Sequence, residues 1–390
     1  MIEKQLKIAQ NLGVRRSIKI VDTTLRDGLQ APGVLFDSDE KRSIAVALSE
    51  AGVDELEVGI PAMGIESQNG INHLCNLNLS CNLISWCRAV SGDILAAAKT
   101  KTDAISISFP TSEILLKTFG KDQSWLFDFL PSMVELASKY FDKIYVGAQD
   151  ATRTDFELLS RFAKIANKLG VARIRIADTV GVATPFSTFN LIKKIKDLTP
   201  NLEVEFHAHN DLGMATANAF CAAEAGADAL SVTVNGLGER AGNAPLEEVS
   251  VALFGVGNFD GKIKLHHLKN LSTMVSKASN RPIHKAKPIV GSDVFKHESG
   301  IHCMAMLKNS DSYQPFDPLI IGADEAQFGI GGQSGCAIIR HLLAMAGITV
   351  SQKDALILLD HVRCAAIKSK SSISVEELIA LYFQTFQKVA

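Results

Sequence analysis

The chain has 390 residues, of which 47% are apolar and 21% charged, and a formal net charge of -2. That size and balance suit a large globular domain with a smaller companion and exclude the basic excess that holds nucleic acid or an anionic membrane. No apolar run approaches the roughly 20 residues that cross a bilayer. The seven cysteines form no Cys-x-x-Cys pair, a usage expected of reduced thiols in the cytoplasm.

Residues 1–17 mix Glu3 with Lys4, Lys7, Arg15 and Arg16 and lack a continuous apolar core, so they read as a short helix or a loosely held tail and not as a secretory signal. From Ile18 onward, apolar or β-branched runs at 18–23, 55–59, 83–87, 104–108, 143–148, 173–177, 202–209 and 229–234 predict strands. Between them lie segments such as 39–51, 125–140, 155–169, 185–198 and 216–225, with apolar residues at helical spacing, several ending in a glycine such as Gly52, Gly170 or Gly226. Eight such units between residues 18 and 258 predict an α/β fold, the (β/α)8 TIM barrel. The rival, a doubly wound open sheet, uses fewer strands and a Gly-x-Gly-x-x-Gly turn after the first. Here Asp22-Thr23-Thr24-Leu25-Arg26-Asp27-Gly28 occupies that turn. Residues 259–292, with Pro282 and Pro288, read as a linker. Residues 293–390 read as a smaller, mostly helical region, with helices at 334–361 and 375–389.

A barrel places its chemistry where strands end. The first, sixth, seventh and eighth strands run into Asp22–Gln30, Ala177–Gly181, His207–Asp211 and Asn235–Asn243, where polar, small and charged residues cluster. Along an extended Leu202–Asn210, Glu205, His207 and His209 share one face. A His-x-His pair alone suits a hydrogen-bonded core as well as a metal. With Asp27 and Asn243 at neighbouring strand ends it becomes a donor set of nitrogen and oxygen without thiolate, suited to zinc, manganese, magnesium or cobalt. Such an ion would chelate a 2-oxo acid and polarise its carbonyl. Arg26 is then placed to steady the developing oxyanion, unless it is spent on a salt bridge to Asp27 or Glu205, and Thr179 to bond the substrate carboxylate, unless it only closes its own turn. Glu205 is expected to accept an N–H hydrogen bond from the histidine pair, so that the other ring nitrogen faces the metal. The glycines from Gly236 to Gly242 either cradle a phosphate or turn the backbone so that Asn243 points inward.

Three elements in order carry a resemblance: Asp-Thr-Thr-Leu-Arg-Asp-Gly-x-Gln at 22–30, His-x-His-Asn-Asp-x-Gly at 207–213, and Val-Asn-Gly-Leu-Gly-Glu-Arg-Ala-Gly-Asn at 234–243. Together they resemble the homocitrate and isopropylmalate synthase family of acyl-CoA condensing enzymes. The likeness continues through His297-Glu298-Ser299-Gly300-Ile301-His302 and covers nearly the whole chain. The resemblance implies an acyltransferase with a TIM barrel, a divalent metal ion, acetyl-CoA as co-substrate and a 2-oxo acid as acceptor. Carried over by residue, it implies metal ligands at Asp27, His207, His209 and Asn243 and substrate contacts at Arg26, Gln30 and Thr179. It also implies a general acid/base pair, His297 and Tyr313, reaching in from the partner subunit of a homodimer; an imidazole suits proton transfer near neutral pH. Within the family, 58–64 and Trp86-Cys87-Arg88 look most like the homocitrate synthases that serve nitrogenase cofactor assembly, which implies 2-oxoglutarate as acceptor. The alternatives are the same chemistry on 2-oxoisovalerate or pyruvate, and a metal-binding relative without catalysis. Leu29, Leu115, Gln149 and Gln333 depart from the family pattern at pocket walls and CoA-facing loops, whereas each implied metal ligand is present.

Overall fold

A computed structural model describes residues 15–257 and 259–386. The chain divides between Ile283 and His284 into two compact units. In the first, strands β1 (Lys19–Asp22), β2 (Glu55–Gly59), β3 (Asn82–Arg88), β4 (Ala104–Pro110), β5 (Lys143–Gln149), β6 (Arg173–Asp178), β7 (Glu203–Ala208) and β8 (Ala229–Val232) follow one another around a closed barrel. Parallel pairing of β1 with β8, from Lys19 opposite Ala229 to Asp22 opposite Val232, completes the ring. The open sheet is thereby excluded.

Around the strands run α1 (Ser38–Ala51), α2 (Ile65–Cys75), α3 (Ser91–Ala97), α4 (Gln123–Ser138), α5 (Phe156–Lys168), α6 (Pro185–Leu198), α7 (Ala215–Ala225) and α8 (Leu268–Ala278). Their ends follow from local chemistry. Asp37 and Glu40 form a reciprocal capping box at the start of α1, and Gly52, at φ 88°, ends it where a side chain would be strained. In α5 the buried stripe is Leu158, Leu159, Phe162, Ala163 and Ala166. Phe162 meets Phe109 of β4 edge to face at 5.8 Å; truncating so buried an aromatic to alanine costs about 3–5 kcal/mol.

The barrel axis is charged. Arg173 of β6 lies 2.5 Å from Glu55 of β2, and Arg175 lies 2.6 Å from Glu57. Since β2 and β6 are not neighbours in the barrel, these pairs cross its lumen. Glu205 of β7 takes Arg175 at 2.7 Å and Arg173 at 3.4 Å, and Tyr145 donates to Glu55 at 2.8 Å. Burying charge is tolerable because each group meets its opposite.

The stretch 259–292, expected to link the two regions, holds more structure than that. Phe259–Asp260 pairs in parallel with Arg16–Ser17, and α8 buries Leu268, Leu271 and Val275 within the barrel unit. Of the expected N-terminal tail, residues 1–14 lie outside the described residues.

The second unit holds α9 (Gly300–Met306), α10 (Cys336–Met345), α11 (Gln352–Ser369) and α12 (Val375–Phe386), with a two-residue parallel pairing of Lys296–His297 and Gln327–Phe328. Ile338, Ile339, Leu343, Leu358, Leu359, Val362 and Leu378 form its core. The helix expected over 334–361 is broken into two. Gly347 turns the chain at φ 78°, and Ser351 caps α11 by accepting from the Asp354 backbone. Among the described residues no helix is long and apolar enough to cross a membrane.

Candidate active site

The seventh and eighth strand ends are tied by backbone. His209 forms an isolated antiparallel bridge with Asn243, the Asn210 amide donates to Gly242 O at 2.8 Å, and Ala244 donates to Ala208 O at 3.1 Å. The intervening loop folds back with Asn235 at φ 60°, Arg240 at φ 55° and Gly242 at φ 89°. A Cβ on Gly242 would strike the Gly236 carbonyl, and one on Gly238 would overlap the Asn243 amide oxygen. Of the two roles open to these glycines, the geometry supports the second, a turn that aims Asn243 inward.

Four donors converge there. His207 Nε2 and His209 Nε2 are 3.1 Å apart, and Asp27 Oδ2 lies 3.3 Å from the first and 3.7 Å from the second. The Asn243 amide nitrogen sits 2.6 Å from Asp27 Oδ2 and 3.5 Å from His207 Nε2. All four residues are buried. His209 Nδ1 and Asn243 Oδ1 have no hydrogen-bond partner among the described residues, and a half-turn of the amide brings that oxygen to face the cluster. Burial, then His207, pushes the His209 imidazole down to about 3, so it is neutral and its lone pair is available at physiological pH. Burial pushes Asp27 up, but the Arg26 guanidinium and the His207 hydrogen bond outweigh it and hold the carboxyl well below the ordinary range. Two imidazoles, a carboxylate and an amide oxygen fit a divalent cation.

Glu205 does not orient this pair. Its oxygens are taken by Arg175 and Arg173, because its inward position stands beside two arginines on β6. His207 Nδ1 instead lies 2.8 Å from Ser231 Oγ, its directly paired neighbour on β8. Arg26 keeps one arm on Asp27, at 2.6 Å, and the other on Glu57, at 2.7 Å; the salt bridge to Asp27 is formed and the one to Glu205 is not. Its guanidinium lies 5.4 Å from the Trp86 ring. Thr179 Oγ1 accepts from the Asp150 amide at 2.8 Å, which leaves its proton to donate. Gln30 is exposed beyond Asp27, beside the half-buried Leu29.

The HMGL-like family profile matches residues 17–275, and the homocitrate synthase post-HMGL domain-like profile matches residues 289–370. The chain belongs to the HMGL-like family. This HMGL-like chain is 43% identical over 368 residues to 2-isopropylmalate synthase 2 of Caldanaerobacter subterraneus, covering 94% of this chain and 95% of that one. It is 42% identical over 366 residues to homocitrate synthase 1 of Nostoc, covering 93% and 96%. It is 36% identical over 370 residues to 2-phosphonomethylmalate synthase of Streptomyces rubellomurinus, covering 95% and 99%. In fold, the HMG-CoA lyase of Bacillus subtilis superposes with TM-score 0.63 at 18% identity, covering 70% of this chain and 98% of that one.

His297 and Tyr313 belong to the post-HMGL unit. There the Tyr313 ring stacks on His302 with centroids 3.9 Å apart. His297 Nε2 is buried without a hydrogen-bond partner among the described residues, and burial, then His302, lowers its pKa. The residues that sequence reasoning missed in this HMGL-like barrel are Ser231, Glu57 and Arg175. Of these Arg175 and Glu57 left a visible trace, each a charged residue two positions from a like one, Arg173 and Glu55, in a strand of mostly apolar residues.

Proposed function

We propose that the protein condenses acetyl-CoA with a 2-oxo acid, with 2-oxoglutarate as acceptor and homocitrate and free CoA as products. The observation that carries the reading is the convergence of Asp27, His207, His209 and Asn243 beside the Arg26 guanidinium. A divalent ion held by those four residues would supply Lewis-acid polarisation of the 2-oxo carbonyl. Arg26 stabilises the oxygen on which negative charge develops, and Thr179 donates its hydroxyl proton to the substrate carboxylate. His297, whose Nε2 has no hydrogen-bond partner among the described residues, takes a proton from the thioester methyl group, with Tyr313 assisting. The methyl carbon bonds to the 2-oxo carbon, the carbonyl π pair moves to its oxygen, and that oxygen is protonated. Water then cleaves the thioester C–S bond and releases the CoA thiol.

Support for the acyl-CoA chemistry comes from relatives named as isopropylmalate, homocitrate and citramalate synthases that align over most of this chain. The proposal includes a homodimer in which His297 and Tyr313 serve the partner's site, and a cytoplasmic setting that the seven free cysteines suit. The test is thiol release by the purified protein with a divalent metal, acetyl-CoA and a panel of 2-oxoglutarate, 2-oxoisovalerate and pyruvate. Release with 2-oxoglutarate is expected, and its absence sinks this acceptor. Mixing His297→Ala with His207→Ala chains is expected to restore release through hybrid dimers. A second reading, 2-oxoisovalerate as acceptor, draws on the 43% identity to an isopropylmalate synthase and is separated by the same panel. Silence across the panel with metal bound would favour a non-catalytic metal-binding role.

A further inference from the structure

The Arg26 guanidinium is shared between two carboxylates. Nη1 donates to Asp27 Oδ1 at 2.6 Å, while Nε and Nη2 each lie 2.7 Å from Glu57 Oε2. Glu57 is itself fixed from two further sides. Thr23 Oγ1 donates to Oε2 at 2.9 Å, and Arg175 Nη2 stands 2.6 Å from Oε1. Arg175 continues the chain by donating from Nε to Glu205 Oε1 at 2.7 Å. Thr23, Arg26, Glu57, Arg175 and Glu205 are all buried, so none of these hydrogen bonds and ion pairs competes with bulk water, and each is stronger for it.

The consequence falls on Asp27. Its oxygens are divided: Oδ1 is taken by Arg26, and Oδ2 faces His207, His209 and Asn243. A carboxylate with one oxygen so occupied offers a cation a single ligand atom in a set direction. That division depends on Arg26 staying where it is, and a forked guanidinium gripped on its other side by two bonds has little freedom to rotate.

We propose that Glu57 is a positioning residue for the metal centre: by gripping Arg26 it locks Asp27 Oδ1 and leaves Oδ2 as the oxygen offered to the ion. This rests on reading the Asp27, His207, His209 and Asn243 cluster as an ion site. It also reassigns Glu205, which acts at the far end of the same chain through Arg175 and not on the histidines.

The test is a titration of the full chain with Co²⁺ alone, followed by its visible absorption, so that Glu57 is judged without any substrate and independently of which 2-oxo acid, if any, reacts. Glu57→Gln is expected to weaken Co²⁺ binding about 10–100-fold, the range for losing a group that orients a ligand. Once the acceptor is known, kcat is expected to fall while KM for acetyl-CoA stays within about threefold. In an Arg26→Lys background, where an unforked ammonium cannot bridge both carboxylates, Glu57→Gln should cost less than about threefold more. Unchanged Co²⁺ affinity in Glu57→Gln overturns the proposal, and so does an undiminished loss in the Arg26→Lys background. Should Glu57→Gln not fold, Glu57→Asp keeps the charge but withdraws the carboxylate from Arg26. Weakened Co²⁺ binding is again expected, and unchanged binding again overturns the proposal.

Discussion

Ser231 and His207 are paired positions on β8 and β7, and the serine hydroxyl lies 2.8 Å from His207 Nδ1. A bond at Nδ1 holds the ring with Nε2 turned to His209 and Asp27, as a ligating histidine requires. Ser231→Ala is therefore expected to weaken divalent-metal binding about tenfold or more, while Ser231→Thr, which keeps the hydroxyl, retains most of the affinity. Calorimetric titration with Zn²⁺ checks this; equal affinities in all three proteins would show that the hydroxyl does not orient the ring. The four donors were legible in the sequence because histidine, aspartate and asparagine advertise their ligand atoms and a His-x-His spacing survives translation into a strand. Ser231 was not, since a lone serine among Ala229, Leu230 and Val232 carries no sign of what it faces. The mistaken partner, Glu205, is the carboxylate on the same strand face two residues before His207, and only the register of β6 against β7 shows that Arg175 claims it.

At the level of elements, β6 and β7 read Arg-Ile-Arg-Ile-Ala-Asp and Glu-Val-Glu-Phe-His-Ala, with Arg173 opposite Glu203 and Arg175 opposite Glu205. Period-two alternation made both segments legible as strands with one apolar face. Their charged faces were harder to read, because the partners Glu55 and Glu57 come from β2 on the other side of the lumen, and only closure of the barrel brings them near. Helix α8 was missed for a related reason: its stripe of Leu268, Leu271 and Val275 begins where the β-α alternation has stopped. The lumen pairs make a sharp stability prediction. Arg173 is fully buried and serves Glu55, Glu203 and Glu205 at once. Arg173→Met leaves Glu55 and Glu205 desolvated with one cation fewer, a loss expected to cost about 3–5 kcal/mol. Urea unfolding followed by circular dichroism measures it, and a midpoint unchanged from the parent would mean that the ladder contributes nothing to the fold.

For the molecule as a whole, the barrel closes where β1 meets β8, and a buried carboxyl sits at that seam. Asp22 accepts from the Thr24 amide at 2.8 Å and from its hydroxyl at 3.1 Å, and the same hydroxyl accepts from the Val234 amide at 2.8 Å. The turn that carries Arg26 and Asp27 is thus joined to the loop that carries Asn243. Burial raises Asp22 from 3.8 to about 7 against the Thr24 hydrogen bonds, and the nearby carboxylates Glu247 and Glu57 add to the rise. Between those two values the folded chain keeps a proton that the unfolded chain has lost. The contribution to stability is therefore complete below 3.8 and is lost as pH rises to about 7, at no more than about 1.4 kcal/mol per pH unit. Glu57 runs the other way. Burial raises its pKa, but Arg175 and Arg26 bring it from 4.5 down to about 2, so its contribution is present above 4.5 and fades only in acid. Of these two carboxyls, Asp22 is the one that acts toward neutral pH. In Asp22→Asn the amide donates to the Thr24 hydroxyl as a protonated Asp22 would, without a proton to lose. Melting temperatures of parent and variant from about pH 5 to pH 8 should diverge, with the variant increasingly the more stable as pH rises. Parallel curves over that range would mean that Asp22 is already ionised in the fold and that the seam is held by charge.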